Sequence, residues 1–228
     1  MTFRGVQILR DVDAIATEDT RRTRKLLAHY DIKNRLVAYH EHNEARAART
    51  IVERILRGES VALVTDAGTP LVSDPGSLLV ASCVDAGIDI VPIPGASALV
   101  AALCASGLPP HPFYFAGFLP RKSGARRRRL AALADLPCTL LFYESPHRVA
   151  SSIRDMAEEL GDRPAVIGRE LTKIHEEFLR DRLQALAELV EGRTLKGEIV
   201  IVVAGPDHCK SPPDDPDDPA TAPFPELP

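Results

Sequence analysis

Val61-Ala62-Leu63-Val64-Thr65-Asp66-Ala67-Gly68-Thr69-Pro70-Leu71-Val72-Ser73-Asp74-Pro75-Gly76 is the stretch on which the fold turns. Four apolar residues, too few for a helix, read as a strand. They run into a loop of Gly, Pro and polar residues. The same layout occurs in Ala14-Ile15-Ala16 before Thr17-Glu18-Asp19-Thr20, and in Leu36-Val37-Ala38-Tyr39 before His40-Glu41-His42-Asn43-Glu44. It recurs in Ile90-Val91 before Pro92-Ile93-Pro94-Gly95-Ala96-Ser97. Helical patterns separate these runs. From Glu44 to Arg57, Ala47/Ala48, Ile51/Val52 and Ile55/Leu56 recur every four residues. Arg46, Arg49, Glu53, Arg54 and Arg57 cover the other face, and Gly58 supplies a left-handed cap. Asp74-Pro75 reads as the start of a second helix with Asp74 as its N-cap, closed at Gly87. A third runs from about Ser97 to Ser106 and stops at Gly107. Strands alternating with helices imply a parallel sheet with right-handed crossovers. All four loops then gather on one rim, beyond the carboxyl ends of the strands, where open α/β sheets bind ligands.

Pro109-Pro110-His111-Pro112 reads as a junction between two α/β domains, 1–109 and 113–205. Beyond it, Phe113 to Ala116, Thr139 to Tyr143, Ala165 to Gly168 and Glu198 to Val203 read as strands, with Glu176 to Arg180 as a further one. Helices are expected near Gly124 to Ala134, Pro146 to Leu160 and Leu183 to Val190. Their less regular alternation implies a mixed, partly antiparallel sheet. Residues 206–228, rich in Pro and Asp, are expected to form a disordered tail.

The formal net charge of −4 conceals the charge of the folded part. The tail holds Asp207, Asp214, Asp215, Asp217, Asp218 and Glu226 against Lys210; without it, 28 basic and 32 acidic residues become 27 and 26. The basic residues cluster at Arg21, Arg22, Arg24 and Lys25, and at Arg121, Lys122, Arg126, Arg127, Arg128 and Arg129. Such clusters are the electrostatic footprint of a polyanion. Four consecutive arginines repel one another unless an anion is near, which favours phosphate. No Trp and few aromatics argue against a surface built on stacking platforms. Cys83, Cys104, Cys138 and Cys209 have no C-x-x-C spacing; the first three read as small buried hydrophobes of a reducing compartment. No signal peptide and no run long enough to span a bilayer is evident, so a cytoplasmic protein is expected.

Asp66 to Pro70 reads as a ligand-contacting loop, because small residues let backbone groups approach a ligand and Asp66 accepts from hydroxyl or ammonium groups. Pro94-Gly95-Ala96-Ser97 opens a helix whose free N–H groups suit an anion. Neither loop has the G-x-G-x-x-G spacing or the Lys of a phosphate loop. His40-Glu41-His42 lacks matching further ligands, so no metal is expected.

In order along the chain, EDTRRTRKLL (Glu18–Leu27), YHEHNE (Tyr39–Glu44), VALVTDAGTPLVSDPG (Val61–Gly76) and PIPGASALVAAL (Pro92–Leu103) closely resemble blocks of one family. GFLPRKSGARRRR (Gly117–Arg129), FYESPHRV (Phe142–Val149) and RELTKIHEE (Arg169–Glu177) continue the likeness. The chain resembles the rRNA-methylating members of the tetrapyrrole (corrin/porphyrin) methylase superfamily, which 2′-O-methylate a cytidine of small-subunit rRNA. The resemblance implies S-adenosylmethionine (SAM) in a cleft between two α/β domains, in a homodimer, with rRNA or the assembled small subunit as partner. Carried over by position, SAM meets Asp66, Ala67, Gly68, Thr69, Ser97 and Ala98, then Phe142, Tyr143, Ala204 and Gly205. The two basic clusters would hold RNA phosphates, and His40, Glu144 and His147 are the alternatives for the base that takes the hydroxyl proton. Family members begin with a further strand and an A-T-P-I-G-N loop, both missing here, and the expectation is a start assigned too late or a truncated form. A tetrapyrrole methyltransferase and a non-catalytic RNA- or ribosome-binding module are the rival readings.

Overall fold

The computed structural model describes residues 1–206; the tail from 207 onward, including Cys209, lies outside the described residues. Packing divides the chain into two compact units, the first being Met1–Ala101.

The first unit opens with α1 (Phe3–Asp11), whose N-cap Thr2 accepts from the Gly5 N–H at 3.1 Å. It continues with β1 (Ala14–Thr17), α2 (Thr20–His29), β2 (Leu36–Ala38), α3 (Glu44–Leu56), β3 (Val61–Val64) and α4 (Ser77–Asp85). The strands form a parallel sheet in the order β2-β1-β3. Thr17, Ala38 and Val64 stand side by side, so the three strands end together on one rim. Every residue of β1 is buried because it is the central strand. Its side chains alternate between faces, as the pleat requires. Ala16 packs with Ala47, Ala48 and Ile51 of α3 and with Leu79 and Cys83 of α4. Ile15 packs with Leu9 of α1 and Leu27 of α2.

Several expectations fail here. Ile90-Val91 is not a strand: among the described residues the sheet ends at β3, so this segment has no ladder partner, and the two side chains are 45% and 60% exposed. Asp74 is not the cap of α4, which begins after Gly76. Arg54 is not on the solvent face; it is buried against Glu59. Cys104 is exposed and Cys138 half-buried, so only Cys83 fits the reading of a buried thiol, and its burial pushes that thiol's pKa up.

The second unit begins within α5 (Ala98–Ser106) and contains β4 (Phe113–Phe118), α6 (Ser123–Ala131), β5 (Thr139–Glu144), α7 (Val149–Leu160) and β6 (Pro164–Arg169). It closes with β7 (Glu177–Arg182), α8 (Leu183–Val190) and β8 (Ile199–Val203). The sheet order is β4-β5-β8-β6-β7, with β4 parallel to β5 and the other pairs antiparallel. Phe142, Ile167 and Ile201 form a core with Leu130 of α6, Ile153 and Met156 of α7, and Leu186 of α8. This is the mixed sheet expected from the irregular alternation. Among the described residues no helix is long and apolar enough to cross a membrane.

Candidate functional site

In the first unit the three strand ends are locked to one another before any ligand is considered. The Tyr39 N–H donates to the Thr17 carbonyl at 2.8 Å. Thr17 and Thr23 share a 2.5 Å hydroxyl hydrogen bond that pins the first turn of α2 to the end of β1. Asp19 caps α2 by accepting from the Arg21 N–H at 2.8 Å, and the bonds from the Arg21 guanidinium, then that N–H, lower its pKa to about 2. Tyr39 is buried, and its hydroxyl donates to Glu44 Oε1 at 2.8 Å. The same oxygen accepts from the Gly76 N–H at 3.1 Å, so one carboxylate ties the loop after β2 to the loop after β3. Burial, then the bond to Glu44, pushes the Tyr39 phenol well above its usual range. Asn43 bridges backward, donating to the Ala38 carbonyl at 3.0 Å and accepting from the His40 N–H at 2.9 Å. Tyr39, Asn43 and Glu44 thus act as locks, and the residues they present are His40, Glu41 and His42.

His40 is half-buried, with its Nδ1 lacking a hydrogen-bond partner, and its ring lies 6.0 Å from that of His42. No three His, Cys, Asp or Glu side chains come together as metal ligands among the described residues.

The loop after β3 is held in an uncommon backbone shape. Gly68, Leu71, Ser73 and Gly76 all have positive φ, and strain of this kind concentrates at ligand-binding sites. Gly76 is required by space as well: a Cβ there would stand 2.8 Å from Leu63 and 2.9 Å from Leu71. At Gly68 a Cβ would meet nothing within 4 Å, so open room adjoins that backbone. Thr65 Oγ1 is buried without a partner. The Thr69 hydroxyl donates to the Ala96 carbonyl at 3.4 Å. The structure therefore joins the two loops singled out from sequence in this unit, Asp66–Thr69 and Pro94–Ser97. Ser97 sits just before α5, and its side chain accepts from the Val100 N–H at 3.5 Å.

Sequence reasoning missed Glu18. It stands one residue past the central strand, and partial burial with the carboxylates of Asp66, Asp74 and Glu41 raises its pKa against the opposing pull of Arg22. Arg22 approaches Asp66 at 3.4 Å. The signal was available: the first residue after each of two aligned strands, Glu18 and Thr65, faces the same rim.

In the second unit the Glu144 side chain is wholly buried. It accepts from the Ser145 N–H at 2.7 Å, from Arg148 Nη2 at 2.5 Å and from the Ser152 hydroxyl at 2.5 Å. Three of the roughly four acceptor sites of this carboxylate are thus taken in holding the turn from β5 into α7. Its burial in this network counts against Glu144 as a base that meets a substrate. His147 is exposed on that turn. Phe142 points into the helix-side core, so only its backbone is available to a ligand, while Tyr143 is half-buried. Ala204 is buried, and a Cβ on Gly205 would come within 3.0 Å of the Cys138 backbone, which accounts for that glycine by packing.

The four arginines of α6 are not one patch, because successive helix residues point about 100° apart. Arg126 is buried, bound to Asp155 at 2.6 Å, and its Nη1 donates to the Arg121 carbonyl at 3.4 Å. Arg127 pairs with Glu158 and Glu159, and Arg129 donates to the Tyr114 hydroxyl at 2.9 Å. Carboxylates of α7 therefore relieve the repulsion that the sequence suggested an external anion must relieve. Arg128, Arg121 and Lys122 are exposed, as are Arg24 and Lys25 in the first unit, without ion pairs among the described residues.

The model of the Tetrapyrrole (Corrin/Porphyrin) Methylases matches residues 1–187. The ribosomal RNA small subunit methyltransferase I of Micromonospora olivasterospora is 50% identical over 206 residues, 90% of this chain and 66% of that protein. The protein of the same name from Xylella fastidiosa is 53% identical over 205 residues, 89% of this chain and 75% of its own length. Among solved structures, diphthine synthase superposes with a TM-score of 0.66 at 18% identity, covering 90% of this chain and 84% of that one. Cobalt precorrin-4 methyltransferase gives 0.63 at 18%, covering 90% and 88%. At that identity the structural likeness speaks for the fold, and the family model and close relatives speak for the lineage: this chain belongs to the tetrapyrrole methylase family, alongside the ribosomal RNA small subunit methyltransferase I proteins.

Proposed function

We propose that this chain is a SAM-dependent methyltransferase that 2′-O-methylates a cytidine of small-subunit rRNA. The observation that carries the reading is sequence identity of 44–53%, across about nine-tenths of the chain, with relatives that share that rRNA methyltransferase name. The rim of the first unit is compatible with the donor. Room adjoins the Gly68 backbone, the buried Thr65 hydroxyl has no partner, and a neighbouring carboxylate, Asp66, can accept from an ammonium or a ribose hydroxyl. Asp66, Ala67, Gly68, Thr69, Ser97 and Ala98 would hold SAM there; Tyr143 and the backbone of Phe142, Ala204 and Gly205 remain proposed contributors from the second unit.

SAM supplies an activated methyl group, so the chain's own task is alignment, exclusion of water and removal of one proton. Of the alternatives for the base, His40 is the best supported. Its backbone is fixed by Asn43, it follows the end of β2 on the rim of the first unit, and its Nδ1, though buried, has no protein partner. Arg24, Lys25, Arg121, Lys122 and Arg128 are the cations left for RNA phosphates, with Arg21 and Arg22 exposed but paired. We propose further that the protein works as a homodimer in the cytoplasm.

The test is transfer of labelled methyl from SAM to small ribosomal subunits lacking the modification, with naked rRNA and a tetrapyrrole as parallel acceptors. Incorporation at a cytidine ribose supports the proposal, and incorporation only into the tetrapyrrole would replace it with the rival enzyme. Binding of rRNA with no SAM affinity by calorimetry would favour the non-catalytic module.

A further inference from the structure

A bulge in an edge strand turns one aromatic ring outward beside the basic loop. In β4, Phe115 aligns with Leu141 of β5 but Phe118 aligns with Tyr143, so three steps on one strand match two on the other. The extra residue falls in the stretch ending at Gly117, which has φ +68. Without it, strict alternation would send Phe115 and Phe118 to opposite faces. With it, both rings meet the same residue: Phe115 lies 4.8 Å from Tyr143 at 68°, and Phe118 5.6 Å from it at 61°. Bulges that re-aim a side chain recur next to functional sites. Phe118 is nonetheless 55% exposed, at the outer edge of the sheet and at the carboxyl end of β4.

The chain then passes through Leu119-Pro120 into Arg121 and Lys122, both exposed. This loop is anchored from beneath: Arg148 Nη1 donates to the Leu119 carbonyl at 3.3 Å and Arg126 Nη1 to the Arg121 carbonyl at 3.4 Å. An apolar ring set edge-on against Tyr143, more than half exposed and followed at once by two exposed cations, matches the chemistry of an unpaired nucleotide. The base offers a π-face and the backbone its phosphates.

We infer that Phe118, braced by Tyr143, which Phe115 supports in turn, is a stacking platform for an unpaired base of the RNA substrate, with Arg121 and Lys122 on the adjoining phosphates. The inference rests on the rRNA reading and deepens it, since it requires the RNA to be presented single-stranded at this edge. Scarcity of aromatics counts against many such platforms but not against one. A second copy of the chain is the other occupant that an exposed aromatic edge would suit, but the neighbouring cations favour a polyanion.

The chain has no Trp, so Phe118→Trp introduces a single indole reporter. Its emission should be quenched by a fluorescein-free single-stranded RNA oligonucleotide, and not by a fully paired duplex of the same sequence. Phe118→Leu keeps apolar bulk without a π-face and should weaken single-strand binding roughly 5- to 150-fold, the range expected for loss of one base stack, with an unchanged urea midpoint. Tight RNA binding by the unmodified protein, with no quenching in the Trp variant and no loss in the Leu variant, would overturn the platform and leave the rRNA reading standing. No RNA binding by the unmodified protein would overturn both. Conversion of a dimer to a monomer by Phe118→Leu, measured by sedimentation, would assign the edge to self-association and overturn the inference.

Discussion

Gly76 shows how one residue joins backbone conformation, packing and the rim. Its φ of +139 is closed to most side chains, its missing Cβ leaves room for Leu63 and Leu71, and its N–H reaches Glu44. Gly76→Ala should cost about 1–3 kcal/mol, combining backbone strain with overpacking, read as a lower urea midpoint. Two neighbouring carboxylates titrate with opposite signs. Asp19 has its pKa lowered to about 2 by the bonds from Arg21, so its charge stabilises the fold above the ordinary value of 3.8. That contribution is lost as pH falls from there toward 2. Glu18 has its pKa raised above 4.5 by partial burial and by Asp66, Asp74 and Glu41, so its ionisation works against folding. That cost is absent below the ordinary value and is fully developed once pH has risen past the raised one. Asp19→Asn, which keeps a capping side chain, should therefore lower the melting temperature at pH 7 and match the parent near pH 2. Glu18→Gln should raise it at pH 7 and lose that advantage below pH 4.5. Melting curves of the three proteins across pH 2–7 check both signs.

The pairing of α6 with α7 belongs to the scale of elements. Asp155, Glu158 and Glu159 recur along one stripe of α7 and meet Arg126 and Arg127 of α6, so two helices with opposite charge patterns pack over the same core. Asp155→Ala would leave the Arg126 guanidinium buried and unpaired, at a cost of about 3–5 kcal/mol. Arg128→Ala, two residues along α6 from Arg126 and exposed, should stay within about 0.5 kcal/mol of the parent. Chemical denaturation separates the two. The contrast also marks what sequence alone discloses. The strands β1, β2 and β3 and the helix α3 were legible because apolar period and length are local properties, and so were the loops Asp66–Thr69 and Pro94–Ser97. Ile90-Val91 was misread because a strand exists only with a neighbour, and a neighbour is a tertiary fact. Arg126 entered the phosphate cluster as part of RRRR, and Glu144 stood among the alternatives for the base. Their partners Asp155 and Ser152 lie 29 and 8 residues further along, a distance at which the local sequence shows nothing of the networks that hold them.

For the whole molecule, the test of these assignments is how many phosphates it neutralises. All ten clustered cations, Arg21, Arg22, Arg24, Lys25, Arg121, Lys122 and Arg126 to Arg129, would be engaged if charge clustering in the sequence were the whole account. In the structure Arg126 is buried, Arg127 and Arg129 are held by their neighbours, and Arg21 and Arg22 face Asp19 and Asp66. Five remain: Arg24, Lys25, Arg121, Lys122 and Arg128. For single-stranded RNA each neutralised phosphate contributes about −0.7 to the slope of log affinity against log salt, so five predict about −3.5 and ten would predict about −7. Anisotropy titrations with a labelled oligonucleotide from low to moderate salt measure that slope. Arg128→Ala should make it shallower by about 0.7, whereas Arg127→Ala should leave it unchanged, because that guanidinium is already occupied by Glu158 and Glu159. A slope near −7 would mean that the internal ion pairs open on binding, and that RNA, rather than α7, is the partner these arginines keep.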